Sequence, residues 1–272
     1  MGEKNTTDQA NVPSRAATPI SVNNFCAIGI IANTDNPEEI FTDIKWEYPV
    51  AAFNNMVCPQ GGNWFSESAK DDTGPLETLR RELGEELSFD NPADYGELVG
   101  LLGVDNPPPE IKIPKIRHVT HSDKEKLAEI VTALQELARP FGDFYSHTPK
   151  SVLDTADPKN ERGDMSAVVS AWVISLPPKL WKSLVTLQYK FGNLSNESRS
   201  VILSLDRMID SRIRAAFGHD RILQRFWIDM GFPKARRLTL VEGIEHRQIG
   251  APRERWTEYL LDFNPAKRPP GF

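Results

Sequence analysis

The seven residues Arg81–Leu87 combine acids and leucines at a spacing that suits metal chemistry. On a helix, Glu82 and Glu86 would lie about 40° apart around the axis and ~6 Å apart along it. Glu85 would lie about 60° to the other side of Glu82, so the three carboxylates would share one sector and the two leucines another. Carboxylates at this spacing repel each other, and a divalent cation would convert the repulsion into ligation by hard oxygen donors. Arg81, four residues before Glu85, can orient that acid.

The residues alone leave a second interpretation open, a solvated acidic helix face with its leucines turned inward. The surrounding segment is strongly acidic, because residues 66–100 hold ten acids and three bases, a net charge of −7. The whole chain of 272 residues carries −6, so the acidic excess is confined to this segment. Such a cluster of carboxylates either stays solvated or binds a cation.

The acidic segment follows an apolar strand and the residues Pro59–Gly62. Together these features resemble the Nudix box, Gly-x5-Glu-x7-Arg-Glu-U-x-Glu-Glu-x-Gly-U, in which U is a bulky aliphatic residue. The run Arg81–Glu86 matches the centre of that pattern in full. The chain therefore resembles the Nudix superfamily. The resemblance implies hydrolysis of a diphosphate linkage in a nucleoside-diphosphate derivative or a similar small molecule.

The resemblance also implies a metal site. Mg²⁺, or Mn²⁺ in its place, would be held by Glu82 and Glu86 and by a backbone carbonyl near the double glycine, at Gly61. Glu85 would be a further ligand or the catalytic group that organises water, and Arg81 would pair with these acids. The general base would be Glu85 or an acid of a later loop; the candidates there are Asp154, Asp157, Glu161 and Asp164.

Two residues outside the box are candidates for binding the substrate. Trp64 lies in a polar loop just after the double glycine, where its ring could stack on a flat group. Arg117 could contact phosphate.

The sequence departs from the Nudix pattern in the loop half of the box. The earlier glutamate of the pattern, eight residues before the arginine, would fall on Thr73, and Ser88 stands where the pattern has its closing glycine. Gly62 and Arg81 are nineteen residues apart where the pattern expects fourteen, so the loop between them is about five residues longer. An acid from this lengthened loop could replace the missing one; the candidates are Glu67, Asp71 and Asp72. The glycine usually permits a positive φ after the helix, which serine adopts at some cost. These departures leave two alternatives open, a Nudix-fold binding or regulatory protein without catalysis and a structural subunit that retains the fold.

The elements that would position these residues mix strands and helices without regular alternation, which favours an α+β fold. We expect a Nudix-type mixed β-sheet sandwiched between helices, with a helical C-terminal extension. Hydrophobic patterns predict strands at 22–32, 46–53, 56–58, 97–104, 167–176 and 237–244, and helices at 75–87, 201–218 and 219–230. A capping box at Ser122 and Glu125 would begin a further helix, the double glycine would break the chain, and 146–165 would be a polar loop. The domain division would be a flexible tail at 1–20, a Nudix-like domain at 21–235 and an extension at 236–272 packed on it.

The composition excludes several classes of protein. No stretch approaches the ~18 apolar residues of a membrane span, and residues 1–20 lack the apolar core of a signal peptide. Cys26 and Cys58 provide no disulfide framework, and each lies in an apolar run that predicts burial. These features predict a cytoplasmic protein without a membrane partner. Nucleic acid is not expected as a partner, because no nucleic-acid motif is present. The oligomeric state stays open, a homodimer being common in families of this kind.

Overall fold

The computed structural model describes the following residues: 22, 24–46, 48, 51–64, 72–89, 118–153, 163–234 and 236–262. The predicted tail at 1–20 and the strand predicted at 97–104 lie outside them. The described strands are β1 (Asn24–Asn33), β2 (Glu39–Ile44), β3 (Val57–Cys58), β4 (Gln60–Asn63), β5 (Arg139–Thr148), β6 (Met165–Leu176), β7 (Arg199–Ser204) and β8 (Glu245–Gly250). The described α-helices are α1 (Pro75–Glu86), α2 (His121–Leu137), α3 (Lys150–Leu153), α4 (Pro178–Phe191), α5 (Leu205–Asp210), α6 (His219–Asp229) and α7 (Trp256–Asp262).

The centre of the sheet is the parallel pair β1 and β6, which stay in register from Asn24–Ala167 to Asn33–Leu176. Both strands are apolar runs, as expected where a strand is buried on both faces. The described sheet has the order β3-β2-β1-β6-β5-β8, while β4 pairs with the first half of β1 and β7 pairs with β2. All of the pairs other than β1–β6 are antiparallel.

Helices cover both faces of this mixed sheet. Buried residues of α1, α2, α4 and α7 share one apolar core with the sheet, and buried residues of α5 and α6 share the other. The predicted α+β fold with a sheet sandwiched between helices is therefore confirmed. None of the helices in the described part of the chain is long and apolar enough to cross a membrane.

Strand β2 was missed from the sequence, and the strand predicted at 46–53 was wrong. β2 ends at Ile44, and residues 51–53 form a single 3-10 turn. Thr42 and Asp43 make the β2 segment look polar, but both are buried and hydrogen-bonded. The Thr42 hydroxyl donates to the Cys58 carbonyl at 2.8 Å, and the Asp43 carboxylate accepts from Ser195 and Gln60. The double glycine does not break the chain, since both glycines lie within β4.

Four other predicted boundaries were wrong. The predicted loop at 146–165 contains the end of β5, helix α3 and the start of β6. The predicted helix at 201–218 is strand β7, the short helix α5 and a separate 3-10 turn at Ala216–Gly218, and the strand predicted at 237–244 begins only at Glu245. The capping box of α2 is formed by Thr120 and Asp123 instead of Ser122 and Glu125. In the first three cases contacts with distant segments override a local pattern.

Candidate active site

Helix α1 begins at Pro75, whose fixed φ suits the first helical turn. Its leucines Leu79 and Leu83 are fully buried in the core, so the helix cannot rotate without exposing them. This packing turns Glu82 and Glu86 toward the sheet, where they are 6% and 3% exposed. The predicted helix over 75–87 is thus confirmed, but two of its three acids are buried, so the interpretation as a solvated acidic face is wrong for them.

The end of α1 is fixed by residues that follow helix α4. The Asn196 amide nitrogen donates to the Glu86 carbonyl at 2.8 Å, and its side chain donates to the Glu85 carbonyl at 2.7 Å. The Ser88 amide donates to the Leu194 carbonyl at 2.8 Å. The chain leaves the helix through an extended Leu87 (φ −86°), and Ser88 is not among the residues of positive φ. The missing glycine therefore imposes no backbone strain here.

Strand β4 lies against α1 through its two glycines. The Gly61 amide donates to Glu86 Oε2 at 3.2 Å. Gly61 has a φ of +135°, and a side chain there would overlap the Ala27 carbonyl. A Cβ atom at Gly62 would lie 2.6 Å from both carboxylate oxygens of Glu82. Gly62 thus lets the Glu82 carboxylate approach the strand this closely, and Gly61 lets the strand pair closely with β1.

Arg81 joins the acids of this region. Its Nη1 atom lies 2.6 Å from Glu82 Oε1 and 2.9 Å from Glu85 Oε2. Its Nη2 atom lies 2.9 Å from Asp72 Oδ2 and donates to the Asn63 carbonyl at 3.0 Å. The predicted pairing of Arg81 with the acids of the box is therefore observed, and this arrangement also connects α1 to β4.

Asp72, and not Thr73, supplies the acid that meets Arg81 from the preceding loop. The Thr73 amide and hydroxyl both donate to Glu77 Oε2, at 2.7 and 2.6 Å, at the start of α1. Thr73 therefore belongs to the beginning of the helix and not to the acid cluster. The other two candidates, Glu67 and Asp71, lie outside the described residues.

Burial makes it costly for the carboxylates of this cluster to carry their negative charge. Burial raises the pKa of Glu86 well above its usual value, and the nearby Asp43 raises it further, although Lys45 opposes the shift. Burial also raises the pKa of Glu82, against the influence of Arg81. Burial would lower the pKa of Lys45, but the acidic groups around it, among them Cys58, Glu86 and Asp43, raise it overall. Lys45 is therefore held in its charged form beside two carboxylates, Asp43 and Glu86.

The acid cluster opens into a cavity of about 290 Å³ between α1, β1, the start of β6 and the end of β5. Glu82, Glu85, Glu86 and Gly61, which were predicted as metal ligands, all line it. The Glu85 side chain is 39% exposed, so it lies at the open side. The cavity also has an apolar wall, formed by Ile28, Ala167, Val169, Met165, Tyr48 and Phe217.

Other predicted residues are not brought to the cavity. Trp64 packs against the core, with its ring stacked 5.9 Å from that of Trp256 and its Nε1 donating to the Asp72 carbonyl at 2.9 Å. Asp164 accepts from the Lys150 amide at 2.7 Å and lies 3.8 Å from His147 Nε2. Arg117, Asp154, Asp157 and Glu161 lie outside the described residues.

Several residues of the cavity were not predicted from the sequence. Glu197, in the segment that holds the end of α1, adds an exposed carboxylate, and Lys45 adds an ammonium group. Cys58 and His219 lie against each other, with Sγ 3.4 Å from Nδ1. Both Cys26 and Cys58 are free thiols, and burial raises the pKa of Cys58 to about 11. Glu197 and Lys45 belong to no periodic pattern, and His219 was predicted only as the first residue of a helix, so no local signal marked them as residues of the cavity.

The donor chemistry of Glu82 and Glu86 suits Mg²⁺, which is usually bound by one or two carboxylates together with water and substrate phosphates. Among the described residues, no three histidine, cysteine, aspartate or glutamate side chains are grouped as a complete protein cage for a metal ion. The two buried carboxylates therefore fit an ion that retains part of its water shell.

No family model and no curated protein matches the chain. Similar solved structures include two of a bifunctional NMN adenylyltransferase/ADP-ribose pyrophosphatase from Francisella tularensis. One is in complex with AMP and a manganese ion (12% identity, TM-score 0.34), and the other has 12% identity and a TM-score of 0.37. Each alignment covers 78% of this chain, which spans less than half of the Francisella protein (43% and 42%). A Nudix hydrolase from Alicyclobacillus acidocaldarius aligns over 78% of this chain and 97% of its own, with 13% identity and a TM-score of 0.38. At these identities the similarity concerns the fold alone and assigns no activity.

Proposed function

We propose that the chain is a metal-dependent hydrolase of the Nudix type, which cleaves a diphosphate linkage in a nucleoside-diphosphate derivative or a similar small molecule. The observation that carries the proposal is the pair of buried carboxylates, Glu82 and Glu86, at the wall of a cavity large enough for part of such a substrate. Buried carboxylates are costly unless a cation compensates them. A divalent ion would supply that compensation.

A bound Mg²⁺ or Mn²⁺ would neutralise phosphate oxygens and lower the pKa of a water molecule for attack at phosphorus. Glu82 and Glu86 would hold the ion. Arg81 holds Glu82 and Glu85 in place through its Nη1 atom, at 2.6 and 2.9 Å, and so keeps their carboxylates aligned. The glycines of β4 keep the backbone close to these carboxylates.

Glu197 is our candidate for the general base. Glu85, one of the candidate bases from the sequence, forms an ion pair with Arg81 at 2.9 Å, so one of its carboxylate oxygens is already engaged. Glu197 lines the same cavity, is exposed, and has no ion pair within the described residues. Glu197→Gln should lower kcat about a hundredfold while Mg²⁺ affinity, measured by calorimetry, stays the same. A Glu197→Gln enzyme with the turnover of the wild type would return the role to Glu85.

The activity itself is tested by a panel of diphosphate compounds with Mg²⁺ and with Mn²⁺. The panel includes ADP-ribose, dinucleoside polyphosphates, nucleoside triphosphates and non-nucleotide diphosphates, and product phosphates are resolved by chromatography. Glu82→Gln and Glu86→Gln should each remove most turnover and weaken metal binding, because each takes away a ligand charge. Glu125→Gln, on the exposed side of α2, is the matched control and should change neither. The proposal fails if no compound is cleaved with either ion.

A ligand-binding protein without catalysis is the second candidate. It is favoured by the close contact of Arg81 Nη1 with Glu82 at 2.6 Å, which already engages one carboxylate oxygen. In that case the chain would bind a diphosphate compound, and the same panel would yield no products.

A further inference from the structure

Lys45 follows the last residue of β2, and its backbone is held from two sides. Its amide donates to the Met56 carbonyl, and its carbonyl accepts from the Asn55 amide, both at 2.9 Å. Its ammonium nitrogen lies 5.6 Å from the centre of the Tyr48 ring. The side chain is partly buried and lines the cavity together with the acid cluster. Its position in the cavity is therefore set by the fold.

The ammonium group of Lys45 has unused donors. Of the described residues that line the cavity, it is the only one with a fixed positive charge, and the other charged ones are Glu82, Glu85, Glu86 and Glu197. No hydrogen bond or ion pair of this ammonium group is formed with any other described residue. An ammonium has three donors, and leaving them without acceptors in a poorly solvated place is costly. The cavity therefore offers a cationic donor to whatever enters it.

We propose that Lys45 binds a phosphate oxygen of the ligand in this cavity, and that it is a positioning residue for the reaction proposed above, on which this inference rests. A diphosphate carries more negative charge than one divalent ion neutralises, so oxygens remain for a second cation to bind. In a partly water-excluded cavity the attraction between ammonium and phosphate is stronger than in bulk water. Lys45 would thus favour anionic ligands over uncharged ones of the same shape.

The alternative is that Lys45 only balances the charges of Asp43 and Glu86 within the fold. The two roles differ in what they predict for an added anion. A balancing charge affects stability alone, whereas an anion-binding group also affects the affinity for a phosphate compound.

The test is calorimetric titration of the full chain with methylenediphosphonate, whose P–C–P linkage resists hydrolysis, in the presence of Mg²⁺. Lys45→Met keeps the apolar stem and should weaken binding of this probe about tenfold or more. Lys45→Arg keeps the charge and should restore most of the affinity. Lys179→Met, on the surface of α4 with a side chain 86% exposed, is the control and should bind as the wild type does.

A second comparison covers the case in which Lys45→Met does not fold. Asp43→Asn and the double variant Asp43→Asn/Lys45→Gln differ only at Lys45, and the double variant keeps the buried charges balanced. The double variant should bind the probe about tenfold more weakly than Asp43→Asn alone. Equal affinities in this pair, or in Lys45→Met and the wild type, would overturn the inference, as would a wild type that does not bind the probe.

The outcome for Lys45 can be separated from the outcome for the hydrolase. If the wild type binds the probe in a way that depends on Lys45 but cleaves no diphosphate compound, the hydrolase proposal fails. The phosphate contact of Lys45 then stands, and its positioning role in a reaction falls with the hydrolase. If the wild type cleaves a diphosphate and Lys45→Met leaves its KM unchanged, the inference fails and the hydrolase proposal stands.

Discussion

Glu86 combines an acidic side chain with an almost fully buried position. It is 3% exposed, and one of its oxygens accepts a hydrogen bond from the Gly61 amide. Burial and the neighbouring Asp43 raise its pKa, so the protonated form is favoured in the folded chain compared with the unfolded one. A carboxyl group of raised pKa stabilises the fold fully at a pH below its unfolded pKa. That contribution is lost as the pH rises through the folded pKa.

We therefore expect Glu86→Gln to raise the free energy of unfolding of the metal-free chain at pH 7.5. Glutamine is uncharged at every pH, whereas Glu86 becomes protonated as the pH falls. The difference in free energy of unfolding between the variant and the wild type should therefore shrink as the pH falls toward 5. Urea unfolding in the presence of a chelator measures the free energies of unfolding of both chains at pH 7.5 and at pH 5. Glu77 is the control of opposite sign, because hydrogen bonds from Thr73 lower its pKa. Glu77→Gln should lower stability slightly at pH 7.5, and a Glu86→Gln chain less stable than the wild type at that pH would contradict the argument.

At the scale of elements, the approach of helix α1 to strand β4 depends on Gly62. We expect Gly62→Ala to weaken Mg²⁺ binding about tenfold or more, because the new Cβ would lie 2.6 Å from both Glu82 oxygens and push that carboxylate away. The helix itself should remain folded, since its leucines stay in the core. Calorimetry with Mg²⁺ and circular dichroism separate these two effects.

The matched control for this variant is Gly84→Ala in the same helix. Gly84 is exposed, and its added Cβ would come no closer than 3.3 Å to the Gln135 side chain, which can move. Alanine in a helix interior is better than glycine by about 0.5–1 kcal/mol. Gly84→Ala should therefore stabilise the chain without changing its metal affinity. Unchanged Mg²⁺ affinity in Gly62→Ala would show that Glu82 tolerates displacement or does not bind metal.

At the scale of the whole molecule, helix α7 closes one face of the sheet through a buried hydrogen-bond cluster. The Tyr259 hydroxyl donates to Asp143 Oδ2 and accepts from the Arg253 amide at 3.2 Å. The Ser170 hydroxyl donates to Asp143 Oδ1 at 2.6 Å. The Trp256 indole donates to Thr78 of α1 at 2.9 Å, which ties the C-terminal helix to the helix that carries the acids.

Tyr259→Phe should lower the free energy of unfolding by about 1–3 kcal/mol, because a buried carboxylate loses one of its two hydroxyl donors. Urea unfolding monitored by tryptophan fluorescence measures the loss. Tyr189→Phe is the control, since that side chain is exposed at the surface of α4 and its change should stay within about 0.5 kcal/mol. If both variants lose the same small amount, the cluster does not hold α7 in place.

The sequence by itself determined helix α1 and the grouping of its acids. Hydrogen bonds within a helix join residues four apart, so the start at Pro75, the buried leucines and the shared sector of Glu82, Glu85 and Glu86 all follow from local spacing. The central strands β1 and β6 were predictable for a similar reason, because long apolar runs indicate strands buried on both faces.

Only the tertiary structure decided which residues meet those acids. Asp72, Lys45 and Glu197 reach the site from three segments far apart in the chain, and Trp64 packs against the core although it follows the double glycine. The extended exit from α1 likewise depends on the segment around Leu194, which accepts the Ser88 amide. The residues that make such contacts are not related by any helical or strand period in the sequence, and burial then shifts their pKa values. The sequence therefore determined the carboxylates, and the fold determined their partners.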